Sequence, residues 1–138
     1  MTQEEKQLLL VDLSARMSYG VICNTPKGDG YLCSINQTIF GTEYGINIKA
    51  TTRDYFNDRE VYIKPYLRPM SSMTEDEQKE FVEFHCVKLC PIIIGDCLTL
   101  ENEGNMFDWL NAHHFDYRGL IEKGLAIAVT KENNPYKE

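Results

Sequence analysis

The sequence predicts an α+β domain: an antiparallel sheet of four or five strands covered by an N-terminal helix and two further helices. Three observations carry this prediction. Thr2 and Glu5 have capping-box spacing at the head of a helically periodic run. From Gly20 to Leu67 the pattern shortens to strand-like runs broken by turn residues. From Val61 to Phe84 the period then changes from strand to helix at a second capping box, Thr74 and Glu77.

Helix one extends to about Met17. At about 100° per residue, Leu9, Leu10, Leu13 and Met17 share one face, and Leu8, Val11 and Ala15 lie nearly opposite, so cover is expected on two sides. Asp12 and Arg16 pair at i, i+4 between the two stripes. The strand-like runs are Tyr19 to Asn24, Tyr31 to Phe40, Tyr44 to Ala50 and Val61 to Leu67. Pro26 to Gly30 makes the first connection, and Gly41 with Thr42 a tighter one. Gly28 and Gly30 do not read as a phosphate loop, because a strand follows them where a helix is required. The acidic stretch Asp54 to Glu60 is expected to be an exposed loop.

Pro65 and Pro69 each remove a ladder donor, which places the Val61 to Leu67 strand at an edge or takes it out of the sheet at Lys64. The second helix opens at Glu75, with an acidic first turn that complements the helix dipole, and ends near Leu89 or Cys90 before Pro91. Ile92, Ile93 and Ile94 form a short apolar run. Asn105 can cap a third helix carrying Met106, Phe107, Leu110, His113 and His114 on one face. A turn from Leu120 to Lys123 stops at Gly124, Leu125 to Thr130 is a final strand, and the tail 131–138 is expected to fray.

The 138 residues suit a single globular domain, 1–138, and 43% apolar with 25% charged residues is an ordinary globular balance. A net charge of −7 argues against broad capture of nucleic acid. No apolar run approaches the about 18 residues of a membrane span. The polar start MTQEEK is unlike a signal peptide, and five cysteines read as reduced thiols, so a cytoplasmic location is expected.

Chemistry-bearing residues are few. Tyr62, Lys64, Tyr66 and Arg68 alternate onto one face, as a solvated sheet face or a small anion site. His85, Cys86 and Cys90 are zinc-ligand types, but two cysteines four apart in mid-helix lack the knuckle spacing of structural zinc, so neither metal nor cofactor is expected. A cysteine activated by His113 or His114, oriented by Asp108 or Asp116, is the enzymatic alternative, without a local signature. The adjacent histidines at a helix end, where partial negative charge favours protonated imidazole, are expected to act as a structural or pH-sensitive cap. Lys64, Arg68, Arg118 and Lys123 would have to form one basic patch for a nucleic-acid-associated role.

Three blocks, LLLVDLSARMSYGVIC at Leu8 to Cys23, IKPYLRPMSSMTEDEQ at Ile63 to Gln78 and FDWLNAHHFDYRGLIEKGLAI at Phe107 to Ile127, occur in this order. Together they resemble an uncharacterised family of small proteins from Bacteroides-group gut bacteria and their phages or mobile elements. The resemblance implies a cytosolic accessory protein and carries no assigned activity, cofactor or catalytic residue. The expectation is a noncatalytic protein-interaction module using Tyr62, Lys64, Tyr66, Arg68, Tyr117 and Arg118, with a second copy of the chain among the candidate partners.

Overall fold

A computed structural model describes residues 2–39, 41–49, 52–59, 63–81 and 107–136. Helix α1 (Gln3–Arg16) begins with the expected capping box: Glu5 N–H donates to Thr2 Oγ1 at 3.1 Å, and Glu5 Oε1 accepts from Thr2 N–H at 2.8 Å. A 3₁₀ turn, Met17–Tyr19, follows and stops at Gly20, whose φ of 73° is left-handed backbone that favours glycine. Strands β1 (Ile22–Thr25), β2 (Gly28–Thr38), β3 (Gly41–Lys49) and β4 (Thr52–Asn57) then form a meander. Strands β5 (Lys64–Leu67) and β6 (Ile127–Ala128) complete a six-stranded sheet of order β4-β3-β2-β1-β5-β6. All pairs are antiparallel except β5 with β6. Further helical segments span 75–81 and 107–112.

One face of the sheet carries the main core. Leu32, Tyr44, Ile46 and Phe56 from the meander meet Leu9 and Leu13 of α1, with Ile63, Leu67, Leu120 and Leu125 closing the other end. Each fully buried aliphatic or aromatic side chain contributes about 1.5–3 kcal/mol. The first stripe of α1 therefore faces inward at Leu9, Leu10 and Leu13, whereas Met17, in the 3₁₀ turn, is exposed. The second is not covered at Val11, which is 44% exposed, whereas Asp12 and Arg16 are fully buried. A smaller cluster, Trp109, Leu110 and Phe115, packs with Met73, Phe81 and Tyr117.

Two expectations about the sheet are corrected. The acidic stretch read as a loop contains most of β4: Phe56 points into the core beside Tyr44, and Asp54 reaches Lys27 at 3.6 Å. Its charges hid an alternation in which only one residue is strongly apolar and inward. Strand β5 is interior, between β1 and β6, despite Pro65; Pro69 lies beyond its end. Its neighbours are staggered: β1 pairs with Lys64 and Pro65, whereas β6 joins only at Tyr66 and Leu67. Tyr66 C=O faces β1, so the donor that Pro65 lacks would face the other side, where β6 pairs only from Tyr66 onward.

The tail expected to fray is anchored at Tyr136. Its hydroxyl accepts from Ile22 N–H at 2.9 Å and donates to Tyr66 C=O at 2.7 Å, so a side chain supplies the next rung between β1 and β5. The Gly124 stop has a φ of 75° and the paired bonds of a Schellman motif, Leu125 N–H to Leu120 C=O and Gly124 N–H to Ile121 C=O. The expected helix end at Leu89 or Cys90, the isoleucine run and the Asn105 cap lie outside the described residues.

Candidate functional site

The Thr74 box does more than start a helix. Glu77 N–H donates to Thr74 Oγ1 at 3.1 Å and Glu77 Oε1 accepts from Thr74 N–H at 3.0 Å, while the same carboxylate takes two bonds from Arg68, at 2.6 and 2.7 Å. These bonds from Arg68 hold the Glu77 carboxyl down at about 2, well below the usual range, against the opposing effect of burial. The Arg68 guanidinium lies 4.2 Å from the centre of the Phe115 ring. Arg68 is therefore a clamp between the end of β5, the helical segment 75–81 and the second apolar cluster.

Tyr117 and Arg118 are likewise engaged within the protein. Arg118 Nη1 donates to Asp12 Oδ1 at 3.0 Å and to the Tyr117 hydroxyl at 2.9 Å, and Tyr117 donates to Asn111 Oδ1 at 2.8 Å. The other Asp12 oxygen accepts from Arg16 Nε at 2.8 Å, and Arg16 Nη2 donates to Phe115 C=O at 2.6 Å. Asp12 thus bridges the fully buried Arg16, for which pairing is obligatory, and the half-buried Arg118. Arg68 and Arg118 do not join Lys64 and Lys123 in one free basic patch, since each is paired to a carboxylate.

Lys64 and Tyr66 occupy the sheet face opposite the main core, as the alternation requires. Lys64 is exposed. Tyr66 is only 8% exposed and its hydroxyl donates to Asp29 Oδ1 at 3.0 Å. Tyr62 lies outside the described residues.

The same outer face continues across the meander, where the sequence reading identified no site. Register places Tyr31, Asn47 and Arg53 side by side on β2, β3 and β4, followed by Ser34, Gly45 and Tyr55, then Asn36, Glu43 and Asn57. Tyr31 and Tyr55 are each 54% exposed. Gly45 forms a floor between them: a Cβ there would collide with Ser34 Oγ and press on the Tyr55 ring and Arg53. The bulge between Leu32 and Ser34 keeps Tyr31 and Ser34 on one side although they are three apart. The signal available in the sequence was the alternation of Arg53, Tyr55 and Asn57, concealed by reading that stretch as a loop.

A second feature is a groove of about 530 Å³. One wall comes from Arg68, Ser72, His113 and His114 and the other from Thr130, Lys131, Asn134 and Tyr136 of the tail. His113 lies over Trp109, ring centres 4.1 Å apart, and its nitrogens stand 3.8 Å from Glu77 and from Glu80. His114 stacks on Tyr136 at 3.8 Å and has a φ of 62°, ending the helical segment in left-handed backbone. Burial, reinforced by Arg16, pushes its imidazole down to about 4, so it is neutral at pH 7. At this position desolvation outweighs the helix-end charge that would favour a protonated imidazole.

Cys23 is fully buried and its thiol is pushed up by burial. The Asp116 carboxylate accepts from Leu120 and Ile121 N–H, both at 2.9 Å, so it caps a turn and does not orient a histidine. Among the described residues no three His, Cys, Asp or Glu side chains converge as a metal site; His85, Cys86, Cys90 and Cys97 fall outside them. No helix among the described residues is long and apolar enough to cross a membrane. No protein-family model, curated protein or solved structure matches this chain.

Proposed function

We propose that the chain is a noncatalytic protein-interaction module that docks a protein partner on the outer face of its sheet. The observation that carries this reading is the pair of half-exposed tyrosines, Tyr31 and Tyr55, on either side of the Gly45 floor. Tyrosine and arginine are the residue types that dominate binding energy at protein interfaces, and Arg53 stands beside Tyr31 across Asn47. Three hydrogen-bonded strands hold these side chains in place before any partner arrives, which lowers the ordering cost of association. Lys64 lies on the same face, at the other side of β1, and extends it with a cation.

The setting implied by the resemblance is a cytoplasmic accessory protein of a phage or mobile element, and a second copy of the chain is one partner this face could accept. A cysteine hydrolase or transferase is not supported at Cys23, which is buried, and Asp116 is engaged in a cap; Cys33 is half-buried. Light scattering combined with affinity capture from host lysate tests the proposal. A homodimer or a specifically retained protein, lost in Tyr31→Ala/Tyr55→Ala, is the expected result. A strict monomer that retains nothing specific counts against it.

A further inference from the structure

The groove between the paired histidines and the C-terminal tail has a chemical bias of its own. Its polar lining is dominated by donors. Asn134 Oδ1 already accepts from Tyr136 N–H at 3.0 Å, which leaves its amide N–H₂ group for a ligand. Lys131 is exposed and forms no ion pair among the described residues. On the facing wall Arg68 is fixed by Glu77 and by the Phe115 ring. Among the described residues no carboxylate lines the groove; Glu77 and Glu80 are engaged with Arg68, His113 and Trp109. The remaining surface is planar or apolar: the stacked His114 and Tyr136 rings, Ala112 and Val129. Its volume lies within the range of about 300–1,000 Å³ usual for small-molecule sites.

We infer that this groove binds a small organic anion, a carboxylate or phosphate monoester on a compact flat body, with Lys131 and Asn134 holding the oxyanion and the His114–Tyr136 stack receiving the body. An ammonium and an amide N–H₂ are donors only, so they select acceptors, and the charge-assisted bond to Lys131 supplies the preference for an anion. The neutral imidazole of His114 keeps the ring surface uncharged at pH 7. Because Tyr136 is both a ring of the site and the rung between β1 and β5, an occupied groove also holds the tail against the sheet.

Titration of the ¹⁵N-labelled full chain at low salt with phenyl phosphate, benzoate and neutral benzyl alcohol tests this inference, with Lys131→Ala in parallel. Saturable shifts confined to residues 112–114 and 129–136 are expected for one or both anions, and the stronger of the two identifies the headgroup. Affinity should fall about tenfold in Lys131→Ala, the size of one charge-assisted hydrogen bond. Slower exchange of the Ile22 amide in the presence of the anion should accompany binding. Equal shifts with benzyl alcohol, an unchanged affinity in Lys131→Ala, or no saturable response to either anion would overturn the inference. Since Lys131 is exposed, the variant should keep the wild-type unfolding midpoint. The outcome is independent of whether the outer sheet face binds a protein.

Discussion

At the scale of single residues, several side chains hold positions that their neighbours alone explain. His114 has its imidazole pushed down to about 4 by burial and by Arg16, against an ordinary value of 6.5. A base held below its unfolded value contributes stability that is complete above pH 6.5 and declines as pH falls toward 4, because the unfolded chain takes up the proton first. Urea unfolding from pH 7 to pH 4 should therefore show a falling midpoint across that window. His114→Asn, which suits left-handed backbone and cannot titrate, should flatten the decline. Glu77, held at about 2 by Arg68, acts in the same direction at lower pH: its contribution is complete above 4.5 and is lost as pH falls through 2. Gly45 makes a separate case. Gly45→Ala should cost about 1–3 kcal/mol in urea unfolding, since its Cβ would enter the space of Ser34 Oγ and the Tyr55 ring. The Thr74–Glu77 box was legible in the sequence, but the Arg68 clamp on Glu77, the burial of His114 against Tyr136 and the crowding at Gly45 were not, because each depends on a partner distant in the chain.

At the scale of elements, the sequence was most informative where a local rule decides the outcome. Thr2 with Glu5 and Thr74 with Glu77 form capping boxes, and Gly124 takes left-handed backbone, as their positions require. The misreadings occurred where partners are distant. Pro65 suggested an edge, but staggered neighbours allow β5 an interior place, and Tyr136 supplies a rung that no neighbour-by-neighbour reading could anticipate. Tyr136→Phe should remove both bonds to the strands while keeping the stack on His114. A loss of about 1–3 kcal/mol is expected, because Ile22 N–H and Tyr66 C=O would be left without this partner. Hydrogen exchange at Ile22 should accelerate more than exchange in the meander; equal acceleration throughout would show that the tail is not a local latch.

For the whole molecule, an α+β fold with a mostly antiparallel sheet behind an N-terminal helix was legible from period and turn chemistry alone. The extent of the sheet was not, since β4 is mostly polar and reads as a loop, whereas β6 falls within the final strand expected at Leu125 to Thr130. The anticipated interaction residues proved to be divided: Lys64 and Tyr66 lie on the outer face, whereas Arg68, Tyr117 and Arg118 tie the helices and the tail-side turn to the core. What the assembled sheet adds is Tyr31 and Tyr55, brought onto the same face by register. The most direct test compares wild-type chain, Tyr31→Ala/Tyr55→Ala and Lys131→Ala in affinity capture from host lysate, with light scattering on each. The expected result is a specific protein partner or a homodimer for wild type and Lys131→Ala, weakened at least tenfold in the folded double-tyrosine variant. The same partner retained undiminished by the folded double-tyrosine variant, or none retained by a monomeric wild type, would contradict a docking role for the outer face.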